Sequence, residues 1–287
     1  MIGQAIAERD SEKTIYGQAL VKNAKTTQAM EQVIYKGKTQ DHVVEVSGDG
    51  SLRTLRFGTE ERQTCIDLNN PADLQLSYTR WMMSALLLVP ETQAFLVCGL
   101  GGGAIPHFLH HHFPKSHIDI VEKQAEVIEV SKKYFRLPCH HPLNIINQDA
   151  VDFISKPTEK LYDLAFIDLF DAQAMAPPLY VEEFYTGILQ CMQPHGIMVI
   201  NLWNGLDEVY TTACKAINKS CRGQMLEMAV KKRSNSIILA FSGDIPKDRL
   251  RAARKNLHHW QQQYQLPFHT YFKRLRRTNK TPRFSLL

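Results

Sequence analysis

The chain has 287 residues, 44% apolar and 22% charged, an ordinary balance for a globular protein with ample core. Its longest apolar run near the middle, Met82 to Val89, is far too short to span a bilayer, and the first thirty residues lack the hydrophobic core of a signal segment. Six scattered cysteines without metal-ligand spacing read as reduced thiols, so a disulfide scaffold and a membrane protein are excluded and a soluble cytoplasmic protein is expected.

Residues 1–40 mix short helical patches with Lys and Gln and show no chemistry. From Val43 the pattern becomes β: Val43 to Val46, a Gly48-Asp49-Gly50 turn, then Leu52 to Phe57 predict a hairpin, with Gln63 to Ile66 as a further strand. Residues 74–88 recur apolar at helical spacing and predict a helix against a sheet.

The next stretch organises the chain. Phe95 to Cys98 is a short apolar run that reads as a buried parallel strand. Gly99, Gly101, Gly102 and Gly103 follow, then a helical pattern through Ile105, Phe108 and Leu109, and a second apolar run from Ile118 to Val121 that ends in Glu122. A glycine turn lets backbone approach a ligand, and the helix behind it offers free N–H groups. Glu122 lies 21 positions after Gly101, near the spacing at which a carboxylate meets ribose hydroxyls. The turn fits two ligand classes. Gly99-x-Gly101-x-x-Ala104 matches a dinucleotide fingerprint, and Gly99-x-Gly101-x-Gly103 matches the looser turn of S-adenosylmethionine-type enzymes.

Gln124 to Phe135 then predicts a crossover helix, Asn144 to Asn147 a third strand ending at Asp149, and Leu164 to Ile167 a fourth ending at Asp168. A helix over Phe184 to Met192, a strand over Gly196 to Trp203 and a helix over Glu208 to Ile217 follow. Met225 to Val230 and Ser236 to Phe241, joined by a short loop, predict an antiparallel end that a nicotinamide-type sheet lacks. The alternation gives an α/β, doubly wound, mostly parallel sheet of the S-adenosylmethionine-methyltransferase type behind a small β-hairpin unit. The expected division is 1–70 for the N-terminal segment and β unit, 71–246 for the nucleoside-binding domain, and 247–287 for a helical tail.

The tail concentrates charge. It holds eleven Lys or Arg against Asp248 alone, so it carries +10 while residues 1–246 carry −5 within the net +5. Such a segment suits nucleic acid, but a solvated helix face or docking on the acidic body is the favoured reading.

Glu122, Asp149 and Asp168 stand at the C-terminal ends of successive predicted strands, the edge where open α/β sheets bind ligands. Each could merely cap the next helix, but three in series beside a glycine turn point to a site. Asp149 favours an adenosine ligand, as an acid after the third strand meets the adenine amino group in S-adenosylmethionine-type enzymes. Asp168 and Asp171 lie beyond the fourth strand, where one carboxylate could take a proton from an attacking amine and the other hold a cationic substrate. His107, His110 and His111 fall on one helix face, yet no carboxylate or cysteine completes a metal set, and no metal is expected.

Residues 43–242 resemble the spermidine/spermine synthase family, the polyamine aminopropyltransferases. The resemblance is carried by Tyr78 with Met82, VCGLGGGAIPHFL, IDIVEKQAEVIEVSKKYF, INQDAVDF, YDLAFIDLFDA, LYVEEFY and GIMVINLW. It implies a methyltransferase-like domain behind a β unit, a homodimer, and transfer of an aminopropyl group from decarboxylated S-adenosylmethionine to a small-molecule amine. It makes Asp168 the base and Asp171 a ligand of the cationic acceptor. Gly99, Gly101, Gly103, Glu122, Asp149 and Gln63 become donor-binding residues, Glu122 at the ribose and Asp149 at the adenine, with Tyr78 in the substrate pocket. Three departures bear on the amine side. Gly102 stands where the family has an Asp that holds the aminopropyl ammonium, and Thr79 and Arg80 replace His or Gln and Glu after the tyrosine. These departures, together with Arg80's charge, favour intact S-adenosylmethionine as an alternative donor, hence a methyltransferase. A non-catalytic nucleoside- or nucleic-acid-binding protein is the second alternative.

Overall fold

The computed structural model describes residues 31–39, 41–89, 92–156, 161–171, 175–230 and 233–279. The reading of residues 1–30, the Ala172-Gln173 part of the loop after Asp168, Lys231-Lys232, and the Lys280 and Arg283 end of the tail lie outside these residues.

A four-stranded antiparallel sheet comes first: β1 (Gln32–Lys38), β2 (Val43–Asp49), β3 (Leu52–Arg56) and β4 (Thr64–Asp67), in sequential order. β1 corrects the helical reading of that stretch. It is an edge strand whose side chains are mostly exposed, so it lacks the alternation that marks a half-buried strand. A short helix α1 (Ser77–Met82) and one 3-10 stretch (Met83–Leu87) replace the single helix expected over 74–88.

The main sheet contains β5 (Ala94–Cys98), β6 (His117–Glu122), β7 (Leu143–Asn147), β8 (Tyr162–Ile167), β9 (Met192–Trp203), β10 (Met225–Ala229) and β11 (Asn235–Phe241). Its order is β10-β11-β9-β8-β5-β6-β7. The β5–β9 pairings are parallel, and β11 runs antiparallel to both β9 and β10, the antiparallel end that the sequence predicts. Successive side chains feed opposite faces. Phe95, Val97, Leu164 and Phe166 enter one buried cluster, whereas Leu96, Cys98, Ala165 and Ile167 enter the other. Such strands are apolar throughout because both faces are covered.

On the Phe95 face lie α1, α2 (Ala104–His112), α3 (Ala125–Phe135), and the tail helices α7 (Lys247–Tyr264) and α8 (Phe268–Thr278). On the Leu96 face lie α4 (Ala150–Ile154), α5 (Glu182–Gln190) and α6 (Asp207–Ser220). The tail docks through Leu250, Ala253, Leu257, Tyr264, Phe268, Tyr271 and Leu275, all buried. Among the described residues no helix is long and apolar enough to cross a membrane.

Candidate active site

A cavity of about 330 Å³ opens over the C-terminal ends of β5, β6, β7 and β8, with residues of the small sheet, α1 and the loop after β8 completing its wall. Gly99, Gly101, Glu122, Asp149, Gln63, Tyr78, Asp168 and Asp171 all line it. Gly103 does not. It is the residue before α2, with φ of 86°, and its part is to turn the chain into the helix rather than to face a ligand.

The glycine loop is built by close approach. A Cβ on Gly99 would stand 2.3 Å from the carbonyl oxygen of Asp168, so only glycine lets the ends of β5 and β8 meet at this point. The amide of Asp168 donates to the Cys98 carbonyl at 3.0 Å and closes the same junction. Glu122 is 9% exposed and holds the loop through its carboxylate. Oε2 accepts from the Leu100 amide at 3.0 Å and Oε1 from the Gln124 amide at 2.8 Å. Burial raises its pKa, and these two amides oppose the shift. Asp149 caps α4, accepting from the Val151 amide at 2.8 Å, and lines the cavity as well, so capping and ligand-facing positions coincide.

Asp168 sits deep at the end of β8 with access from the cavity. Its Oδ1 accepts from Asn201 Nδ2 at 2.9 Å. Asn201 is 1% exposed, and its own Oδ1 accepts from Asn235 Nδ2 at 3.1 Å, which fixes the amide's orientation. The Tyr78 hydroxyl donates to the Gln63 carbonyl at 3.0 Å and stands beside Asp168. Burial pushes the Asp168 carboxyl above the usual range, against the pull of Asn201 and Tyr78. Burial and the adjacent Asp168 push the Tyr78 phenol up too, so it stays a neutral donor. A carboxylate with a raised pKa that faces a cavity is the kind of group that serves as a proton acceptor.

Two readings of the amine side change. Arg80 turns away from the cavity, with Nη1 3.4 Å from Asp73 and 3.1 Å from the Leu74 carbonyl, and Nη2 3.4 Å from the Gln265 carbonyl. Its charge ties α1 to the segment between the tail helices and does not enter the cavity. Lys123 lines the cavity, but its ammonium pairs with Asp41 at 2.6 Å. At Gly102 a Cβ would lie 2.9 Å from both the Phe135 ring and Thr64 Cγ2, so the space for a side chain is filled.

Sequence reasoning missed Asn201, Asn235 and His42. The one signal for Asn201 is a polar residue within the apolar run of GIMVINLW, since a buried amide must find partners. His42 is 8% exposed, lines the cavity, and packs against Phe57 with the rings tilted by 37° and their centroids 4.1 Å apart. Neither of its ring nitrogens has a hydrogen-bond partner among the described residues. His107 is a core residue, with Nε2 2.9 Å from the Phe135 carbonyl, and no metal-holding group of three His, Cys, Asp or Glu occurs among the described residues.

Residues 76–229 match the family model for the spermine/spermidine synthase domain. A polyamine aminopropyltransferase of Chromobacterium violaceum is 29% identical over 238 residues, covering 83% of this chain and 90% of its own. The human eEF1A lysine and N-terminal methyltransferase is 32% identical over 127 residues, 40% of this chain but 18% of that protein. The fold is similar to that of a spermidine synthase solved in complex with the transition state analogue AdoDATO, with a TM-score of 0.68 at 17% identity over 88% of this chain and 87% of the other.

Proposed function

Because the chain belongs to the spermine/spermidine synthase domain family, we propose that its cavity is the active site of a polyamine aminopropyltransferase using decarboxylated S-adenosylmethionine. The observation that carries the reading is Asp168, a half-buried carboxylate with a raised pKa, held by Asn201 and flanked by Tyr78, beside a glycine loop and two nucleoside-facing acids. Four carboxylates, Glu122, Asp149, Asp168 and Asp171, line the cavity, and Lys123 is neutralised by Asp41. An anionic cavity attracts two cationic substrates and disfavours the extra carboxylate of the intact donor. The resemblance extends the reading to a cytoplasmic homodimer.

The donor's nucleoside lies over the glycine loop, its ribose hydroxyls at Glu122 and its adenine at Asp149. Asp171 holds the ammonium of the acceptor. The attacking nitrogen forms a bond to the propyl carbon next to sulfur, the carbon–sulfur bond breaks with its electron pair on sulfur, and neutral 5′-methylthioadenosine leaves. The proton shed by that nitrogen passes to Asp168. Most of the acceleration comes from aligning two bound reactants, and the base removes the remaining proton barrier.

Calorimetry with decarboxylated and intact S-adenosylmethionine, followed by transfer assays with putrescine and spermidine, tests this. Tighter binding of the decarboxylated donor and aminopropyl transfer are expected. Preference for the intact donor would move the function to methyl transfer, the reading favoured by the absence of an acid at Gly102.

A further inference from the structure

The tail helices carry their charge in ordered stripes. On α7, Lys247, Arg251, Arg254, Lys255 and His258 recur at three- and four-residue steps, so they share one face about 17 Å long. The apolar positions Leu250, Ala253, Leu257 and Tyr264 occupy the side packed on the body. α8 repeats the arrangement, with His269, Lys273, Arg276 and Arg277 exposed and Phe268, Tyr271 and Leu275 buried.

A basic helix that docks on an acidic body spends its cations in ion pairs. This one does not. Arg251 pairs with Asp248 at 2.8 Å, the only acid on either helix. Among the described residues Arg254, Lys255, Lys273 and Arg277 have no acidic partner. The helices are held by apolar burial, leaving these side chains uncompensated and pointing to solvent. Unpaired cations on exposed helix faces, Arg254 beside Lys255 on α7 and Lys273 one turn before Arg277 on α8, suit a row of phosphates. Trp260 and Phe272 are half-buried against the core, which leaves little aromatic surface for base stacking. A bilayer is a poorer fit, because interfacial helices insert an apolar face and here that face is already covered.

We propose that α7 and α8 form a docking surface for the phosphate backbone of nucleic acid, without base recognition and separate from the transferase cavity. The proposal does not depend on the transferase reading. Fluorescence anisotropy with a 20-base-pair duplex, as DNA and as RNA, between 50 and 200 mM salt tests it on the full chain. Binding should be insensitive to sequence and fall steeply with salt, each neutralised phosphate adding roughly 0.9 to the slope of log affinity against log salt. The paired reversals R254E/K255E and K273E/R277E should each weaken binding at least ~10-fold and reduce the slope by about 2. They should leave the melting temperature and transfer rate unchanged, since these side chains touch neither core nor cavity. No binding at 50 mM salt overturns the proposal, as does unchanged binding by both folded variants. Capture by anionic vesicles but not by either duplex overturns it too.

Discussion

The two halves of the cavity are held by different means. The nucleoside half rests on main-chain geometry: the β5–β8 junction closes through Gly99, and the Leu100 and Gln124 amides fix Glu122. A chain that keeps this sheet and turn keeps that half. The amine half is made of side chains on loops and one short helix, and each can change without moving the sheet. Thr79 caps back on the Leu76 carbonyl at 2.8 Å, Arg80 faces the tail, and Gly102 is walled by Phe135 and Thr64. Asp168, Asp171 and Tyr78 remain as polar groups lining this half, with His42 as a buried imidazole whose nitrogens have no hydrogen-bond partner among the described residues. In the proposed reading, donor recognition is therefore a property of the fold, and acceptor recognition a property of this chain.

The sharpest way to break that division is Asp168→Asn. It removes the proton acceptor but keeps a side chain whose oxygen can still accept from Asn201. Transfer should drop by about 10²–10⁴-fold, the usual worth of a general base, while calorimetry shows donor affinity little changed. Equal loss of donor binding would place Asp168 in the nucleoside half instead. A smaller effect is expected at Gly102→Asp, which supplies the acid found there in the family. The new side chain meets a fully buried Phe135 ring, so overpacking should cost about 1–3 kcal/mol in thermal unfolding with no gain in acceptor affinity. A stable, faster Gly102→Asp enzyme would show that the amine half is merely missing one group.

The same division explains what could be read in advance. The glycine turn, the strand-end acids and the antiparallel end of the sheet follow from local patterns, and each stands where the patterns place it. Gln63 and Tyr78 were separately readable, but the intervening loop hides that the phenol returns to the Gln63 carbonyl. Arg80 could not be oriented, because a one-residue change in the start of α1 turns a side chain by 100°. β1 was obscured because its apolar run, Val33 to Tyr35, is consecutive rather than alternating and lies on an exposed edge. His42 lies in a stretch without periodic signal, and its burial arises from contacts made far along the chain.

Asn201 shows how far a site can depend on pairs that no local pattern displays. Its amide N–H is turned toward Asp168 because Asn235, 34 residues later on β11, donates to its oxygen. The hydrogen bond stabilises the ionised carboxylate, which burial otherwise disfavours. Asn201→Leu removes the donor and leaves the burial, so the Asp168 pKa rises further. A base works only when deprotonated, so activity is lost as pH falls through that pKa, and raising it moves the acid limb of the kcat/KM profile to higher pH. A shift of about one unit is expected, the size of a hydrogen bond of ~1.4 kcal/mol to a charged group. Asn235→Ala should shift the limb in the same direction by less, because Asn201 keeps its donor but loses its anchor. If both variants slowed transfer with the acid limb unmoved, Asn201 would be packing β9 and not tuning the base.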